Sequence, residues 1–116
     1  MRNSLENIDT NLSSAITALE IKLKELFGEK LFKIILYGSY ARGNYDNESD
    51  VDILVIINDN NLKKYNKPLS QIELELFNKF GLLFSIIPET ENYFLSNSDL
   101  LPFFRIISSE GIAVYG

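Results

Sequence analysis

Residues 38–52, GSYARGNYDNESDVD, decide how this chain folds. KIILY (33–37) runs into the stretch and ILVII (53–57) leaves it. Short apolar runs rich in Ile and Val and bounded by turn residues read as buried strands. The segment is therefore a strand, a glycine turn, a polar loop and a second strand. Side chains alternate faces along a strand, so Asp50 and Asp52 project to one side while Val51 and Ile53 point to the other. Two carboxylates side by side repel, and a cation between them removes the cost. Hard divalent ions such as Mg²⁺ are held by one or two carboxylates plus substrate phosphates. The Gly38-Ser39 turn supplies a matching half: glycine lets backbone approach an anion, while a hydroxyl and successive N–H groups bond phosphate oxygens.

Composition narrows the classes. With 116 residues, 46% of them apolar, residues 1–116 are expected to form a single layered domain. There is no cysteine, which excludes disulfides and thiolate metal sites, and no histidine, which excludes imidazole acid–base chemistry and the usual zinc ligands. No apolar stretch reaches membrane-spanning length and the start, MRNSLENIDTN, is no signal peptide, so a cytoplasmic location is expected. A net charge of −5 argues against a dedicated nucleic-acid surface.

Outward from the central stretch, helices and strands alternate. Ile8, Leu12, Ala15, Ile16, Leu19, Leu23, Leu26 and Phe27 recur at helical spacing, with Asp9 or Asn7 as cap and Gly28 as stop. Leu31–Tyr37 is the first strand, residues 40–42 open a short helix facing the glycine turn, and Val51–Ile57 is the second strand. NDNNLKKYNK reads as irregular, with Lys63, Lys64 and Lys67 as a solvated basic loop. Pro68 then suits the first turn of a helix whose apolar face is Leu69, Ile72, Leu76 and Phe80. Residues 82–87 read as a third strand stopped by Pro88. A short helix over residues 101–107, capped by Ser98 or Asp99, and a last strand at Ile112–Tyr115 complete the pattern. Phe94, Phe103, Phe104, Ile106 and Ile107 read most simply as core under the sheet, the alternative for some of them being an interface. The fold class is α/β, a small mixed sheet against a few helices.

Gly38-Ser39, ten residues, then Asp50-Val51-Asp52 resembles the signature of the DNA polymerase beta-like nucleotidyltransferase superfamily. Ala41-Arg42-Gly43 is similar to its short stand-alone members, the minimal nucleotidyltransferases. The resemblance covers nearly the whole chain. It implies that Asp50 and Asp52 are catalytic metal ligands for Mg²⁺ and that Gly38 and Ser39 hold the triphosphate. Arg42 would offer a planar cation to phosphate; its other reading is a surface charge beside Asp46 or Glu48. Tyr40 and Tyr45 either stack on a base or cover the loop.

Active members of that superfamily carry a third carboxylate on a later strand, as metal ligand and base. The equivalent strand here, LLFSII (82–87), holds no acid, and Ser85 is expected in the slot. A serine near neutral pH is neither an anion nor a base. Glu89 shares its parity but stands about 13 Å further along an extended chain. Asp46 and Glu48 lie on loops.

Minimal nucleotidyltransferases pair with helical HEPN proteins as antitoxins, and the resemblance implies that role. The chain itself is not the HEPN component, whose ribonuclease motif needs a histidine. Three functions follow. The first is Mg²⁺-dependent transfer of AMP from ATP to a hydroxyl of a partner protein. The second is a binding module, catalytically weak or inactive, that neutralises its partner by occlusion. The third is a small-molecule nucleotidyltransferase whose acceptor pocket a homo- or hetero-oligomer completes. The aspartate pair favours the first, because an unused acidic pair is costly to keep.

Overall fold

Asp9 starts the first helix: its Oδ1 accepts the Leu12 N–H at 2.8 Å, which satisfies one of the donors a helix start leaves free. The computed structural model describes residues 9–46 and 48–116, so the alternative cap Asn7 and the apolar Ile8 lie outside the described residues. The helix, α1, covers Thr10–Phe27 and buries Leu12, Ala15, Ile16, Leu19, Leu23 and Phe27 along one stripe. It stops at Gly28, whose φ of 56° is unfavourable for a residue with a side chain. A single 3₁₀ turn, Gly28–Lys30, leads into β1, Leu31–Tyr37.

The one-turn helix α2, Ser39–Arg42, and a polar loop connect β1 to β2, Val51–Ile57. Then follow α3 (Asn66–Phe80), β3 (Phe84–Thr90), α4 (Glu91–Asn97), α5 (Pro102–Glu110) and β4 (Ile112–Tyr115). The four strands form one mixed sheet in the order β3-β2-β1-β4. β1 runs antiparallel to both β2 and β4, while β2 and β3 are parallel. A parallel pair needs a crossover, and α3 provides it.

Helices cover both faces. Ile34, Leu36, Ile53, Val55 and Ile57 meet α1 and α3 through Leu12, Leu19, Leu23 and Leu76. On the opposite face Ile35, Leu54 and Ile56 meet Phe94 of α4 and Phe104 and Ile107 of α5. β2, buried on both sides, therefore reads as a continuous apolar run rather than an alternating one.

Three expectations need correction. The basic stretch is not irregular, since Leu62–Tyr65 forms a 3₁₀ turn and α3 begins at Asn66, which leaves Pro68 in the first turn as expected. Lys64 pairs with Asp59 at 2.8 Å and stays solvated, its side chain nearly half exposed. Pro88 does not stop β3, which runs on to Thr90. The reason is the edge position. Ile86 turns its N–H away from β2 to the Glu73 carboxylate of α3 at 2.8 Å, so the nitrogen two residues later also faces outward, where no ladder donor is needed. The final helix starts at Pro102 with Leu101 as its cap and reaches Glu110, and Phe103 and Ile106 lie on its outer side, 42% and 51% exposed. Phe94, Phe104 and Ile107 are core as expected.

Candidate active site

The register of β1, β2 and β3 sets a row of three residues across the sheet: Tyr37, Asp52 and Ser85, with Asp52 in the middle and paired to each of the others. Asp52 shares strand parity with Leu54 and Ile56, so the row lies on the face covered further along by α4 and α5. Asp50 precedes β2 and is exposed. The Val51 N–H between the two acids donates to the Leu83 carbonyl at 2.8 Å, fixing the start of β2 against the start of β3.

Gly38 is required at its position for two reasons. Its φ of 78° with ψ of −156° is a conformation that L side chains rarely adopt. A Cβ there would also fall within the Asp52 carboxylate. The turn is thereby pressed directly against the acid. The Ala41 and Arg42 N–H groups donate to the Gly38 carbonyl at 3.1 Å, and those of Gly43 and Asn44 donate to the Ser39 carbonyl at 2.9 and 3.1 Å. Ser39 opens α2, one residue earlier than the expected start at residue 40, and is partly exposed.

Electrostatics mark Asp52 out. Partial burial pushes its carboxyl above the ordinary aspartate range, the Asp50 charge adds to the rise, and the Arg42 cation opposes it. A carboxylate raised by desolvation and a like-charged neighbour has much to gain from a cation. The pair and the turn therefore fit a divalent ion held by Asp50 and Asp52. Among the described residues no group of three or more acids gathers into a metal cage, so substrate oxygens would complete such a coordination shell. Tyr37 answers to the same environment. Burial first, and the Asp52 charge second, push its phenol to about 12, so it stays a neutral O–H. Its ring packs edge-on against Phe103 with centroids 5.4 Å apart.

Gly38, Ser39, Asp50 and Asp52 thus converge on one end of the sheet, and Arg42 lies on the turn beside them. Ser85 stands opposite Asp52, in the slot where the strand register places it. Glu89 is opposite Ile56, four residues down the ladder, and does not reach the pair. Asp46 is used within its own loop, where its Oδ1 accepts the Glu48 N–H at 2.9 Å. Tyr40 and Tyr45 stack on each other at 4.1 Å and 13°, and Tyr40 is buried, so they cover the loop instead of presenting a face to a base. Arg42 pairs with neither Asp46 nor Glu48. Its Nη1 lies 3.5 Å from Glu110 at the end of α5, a partner that sequence reading missed because no local pattern links residues 68 positions apart. An open cleft of about 600 Å³ runs along α5 past Ser98, Pro102, Arg105 and Ser109, and no residue of the acid pair lines it. The acid pair and the glycine turn lie instead at the sheet's end.

The family model described as a nucleotidyltransferase domain matches residues 16–112. A candidate protein adenylyltransferase of Methanocaldococcus jannaschii is 34% identical over 105 residues, spanning 90% of this chain and 99% of the relative. Among solved structures, a candidate minimal nucleotidyltransferase superposes with a TM-score of 0.58 at 19% identity, covering 95% of this chain and 98% of that one. A toxin–antitoxin structure with AMP-PNP gives 0.57 at 21%, covering 84% and 70%. At such identities the two structures speak for the fold. Among the described residues no helix is long and apolar enough to cross a membrane.

Proposed function

This chain belongs to the nucleotidyltransferase domain family, a transferase enzyme, and from that premise we propose that it moves AMP from ATP to a hydroxyl of a partner protein. The observation that carries the reading is the contact of Gly38 with Asp52, which joins a phosphate-binding turn to a carboxylate pair at one point. Asp50 and Asp52 would hold Mg²⁺, which when bound neutralises the triphosphate and makes its α-phosphorus more electrophilic. Ser39 and the N–H groups of the turn meet phosphate oxygens, and Arg42 offers its guanidinium to charge that develops on the departing group.

The acceptor oxygen forms a bond to the α-phosphorus as the bond from that phosphorus to the oxygen bridging the β-phosphate breaks. Pyrophosphate leaves, and the hydroxyl proton passes to solvent or to a base of the acceptor. Ser85, opposite Asp52, can position a water or the acceptor by hydrogen bonding but does not take the proton. Transfer of this kind depends chiefly on positioning and charge neutralisation, which the turn, Arg42 and a cation held by the acid pair would supply.

The partner in this reading is a helical HEPN-type toxin, with the chain as its antitoxin in the cytoplasm. The likeness to a toxin–antitoxin structure containing AMP-PNP supports the pairing, and the adenylyltransferase name of the relative supports the nucleotide. A single domain over residues 1–116 fits this role, since the partner supplies the acceptor. A second reading, neutralisation by occlusion without transfer, is favoured by one observation, the serine in the row where an acid is expected.

Intact-mass analysis of the partner after incubation with this protein, Mg²⁺ and each nucleoside triphosphate separates the two. Gain of one adenylate, lost in the Asp50→Asn, Asp52→Asn double variant, is the expected result. A stable complex with no gain in mass would establish occlusion.

A further inference from the structure

We propose that Glu110 is a positioning residue for the transfer reaction: it holds the Arg42 guanidinium at the mouth of the carboxylate pair. The idea rests on the nucleotide reading above and adds a residue to it. Arg42 is the last residue of α2, and its N–H donates to the carbonyl of Gly38, the residue pressed against Asp52. The backbone of Arg42 is therefore fixed beside the acids. Its side chain is long and nearly half exposed, and a free arginine of that kind samples many rotamers.

Glu110 limits that sampling. It is the last residue of α5, a helix anchored in the core by Phe104 and Ile107 and set against Tyr37 by Phe103. Gly111 follows at once, and β4 then pairs with β1, with Ile112 opposite Leu36. The glutamate thus stands near the end of β1 that carries the turn. Its Oε2 meets Nη1 of Arg42 at 3.5 Å. A guanidinium has five N–H donors in a rigid fork, so one such contact leaves the remaining donors for phosphate oxygens. Across 68 residues of sequence, the pair ties the phosphate turn to the helix that closes the other side of the site.

The test is a double-mutant cycle on Mg²⁺·ATP affinity, with folding of each variant checked by thermal melting. Glu110→Ala is expected to weaken binding about 3- to 5-fold, the scale of an exposed pair. In an Arg42→Ala background the same change is expected to do nothing. Equal weakening in both backgrounds would overturn the proposal, as would no effect of Glu110→Ala where Arg42→Ala alone weakens binding. If the Asp50→Asn, Asp52→Asn double variant binds Mg²⁺·ATP as well as the parent, the nucleotide reading fails instead. The proposal is then decided by a nucleotide-free measurement, the side-chain ¹⁵N signals of Arg42. Ordered signals that become motionally averaged in Glu110→Ala support the clamp, and signals unchanged by that substitution rule it out.

Discussion

The two faces of the sheet are built to different standards. On one, α1 and α3 close over Ile34, Ile53, Val55 and Ile57, and Leu12, Leu19, Leu23 and Leu76 are wholly buried. On the other, α4 and α5 cover a smaller cluster, Ile106 faces outward, Phe103 is partly exposed against Tyr37 at the cluster's edge, and Asp52 and Ser85 are only partly covered. The first face holds the chain together. The second accepts an acid that the fold alone does not reward, which is a reasonable mark of function.

Truncating one residue on each face exposes the contrast most sharply. Leu19→Ala, in the closed face, is expected to cost ~3 kcal/mol, within the ~2–5 kcal/mol seen for buried leucine truncations. Ile106→Ala, on the outer side of α5, is expected to cost less than ~1 kcal/mol, since an exposed side chain loses little burial. Denaturant unfolding of the two variants measures the gap, and similar midpoints would mean that the faces are not distinct.

Gly38→Ala comes next. Forcing a side chain into this positive-φ conformation costs ~1–3 kcal/mol, and the new methyl also displaces the Asp52 carboxylate. Loss of Mg²⁺-dependent nucleotide binding with a modest drop in stability is the expected pair of results, read by calorimetry and thermal melting. Gly43→Ala is the comparison: its φ is also positive, but it is left-handed helical with open space around its Cβ, so it carries a milder backbone strain and does not touch the acids.

The same division governs what was legible in the sequence. The closed face announces itself, because α1 has a regular 3.6-residue apolar stripe and β1 and β2 are dense in Ile, Leu and Val. The acid pair and glycine turn were legible too, since they lie close together in the chain and their spacing is fixed by one loop. The open face was harder. In α4 only Phe94 is buried, too few contacts for a periodic signal, and its start rests on Thr90, whose Oγ1 accepts the Tyr93 N–H at 3.2 Å. Pro88 reads as the end of β3 because a sequence does not reveal which edge a proline nitrogen faces. The Arg42–Glu110 pair joins elements that only the tertiary fold brings together.

The smallest effect is the most discriminating, because it has the opposite sign. Burial and the Asp50 charge raise the proton affinity of Asp52 in the folded state, so ionising it opposes folding. A raised carboxyl adds stability that is complete below the unfolded value, about 3.9 for aspartate, and is lost as pH rises through the folded one. Near neutral pH the metal-free protein has already lost that contribution. Asp52→Asn removes the charge while keeping the shape, so without divalent metal it should melt higher than the parent. The advantage should shrink as pH falls and vanish below about pH 4, where the parent's carboxyl becomes protonated in both states. Adding Mg²⁺ and ATP should raise the melting point of the parent alone, because only a ligand that binds the folded state stabilises it. If the Asp52→Asn variant melts lower than the parent under metal-free conditions at neutral pH, the carboxylate serves the fold, and the division between the two faces fails at its most telling residue.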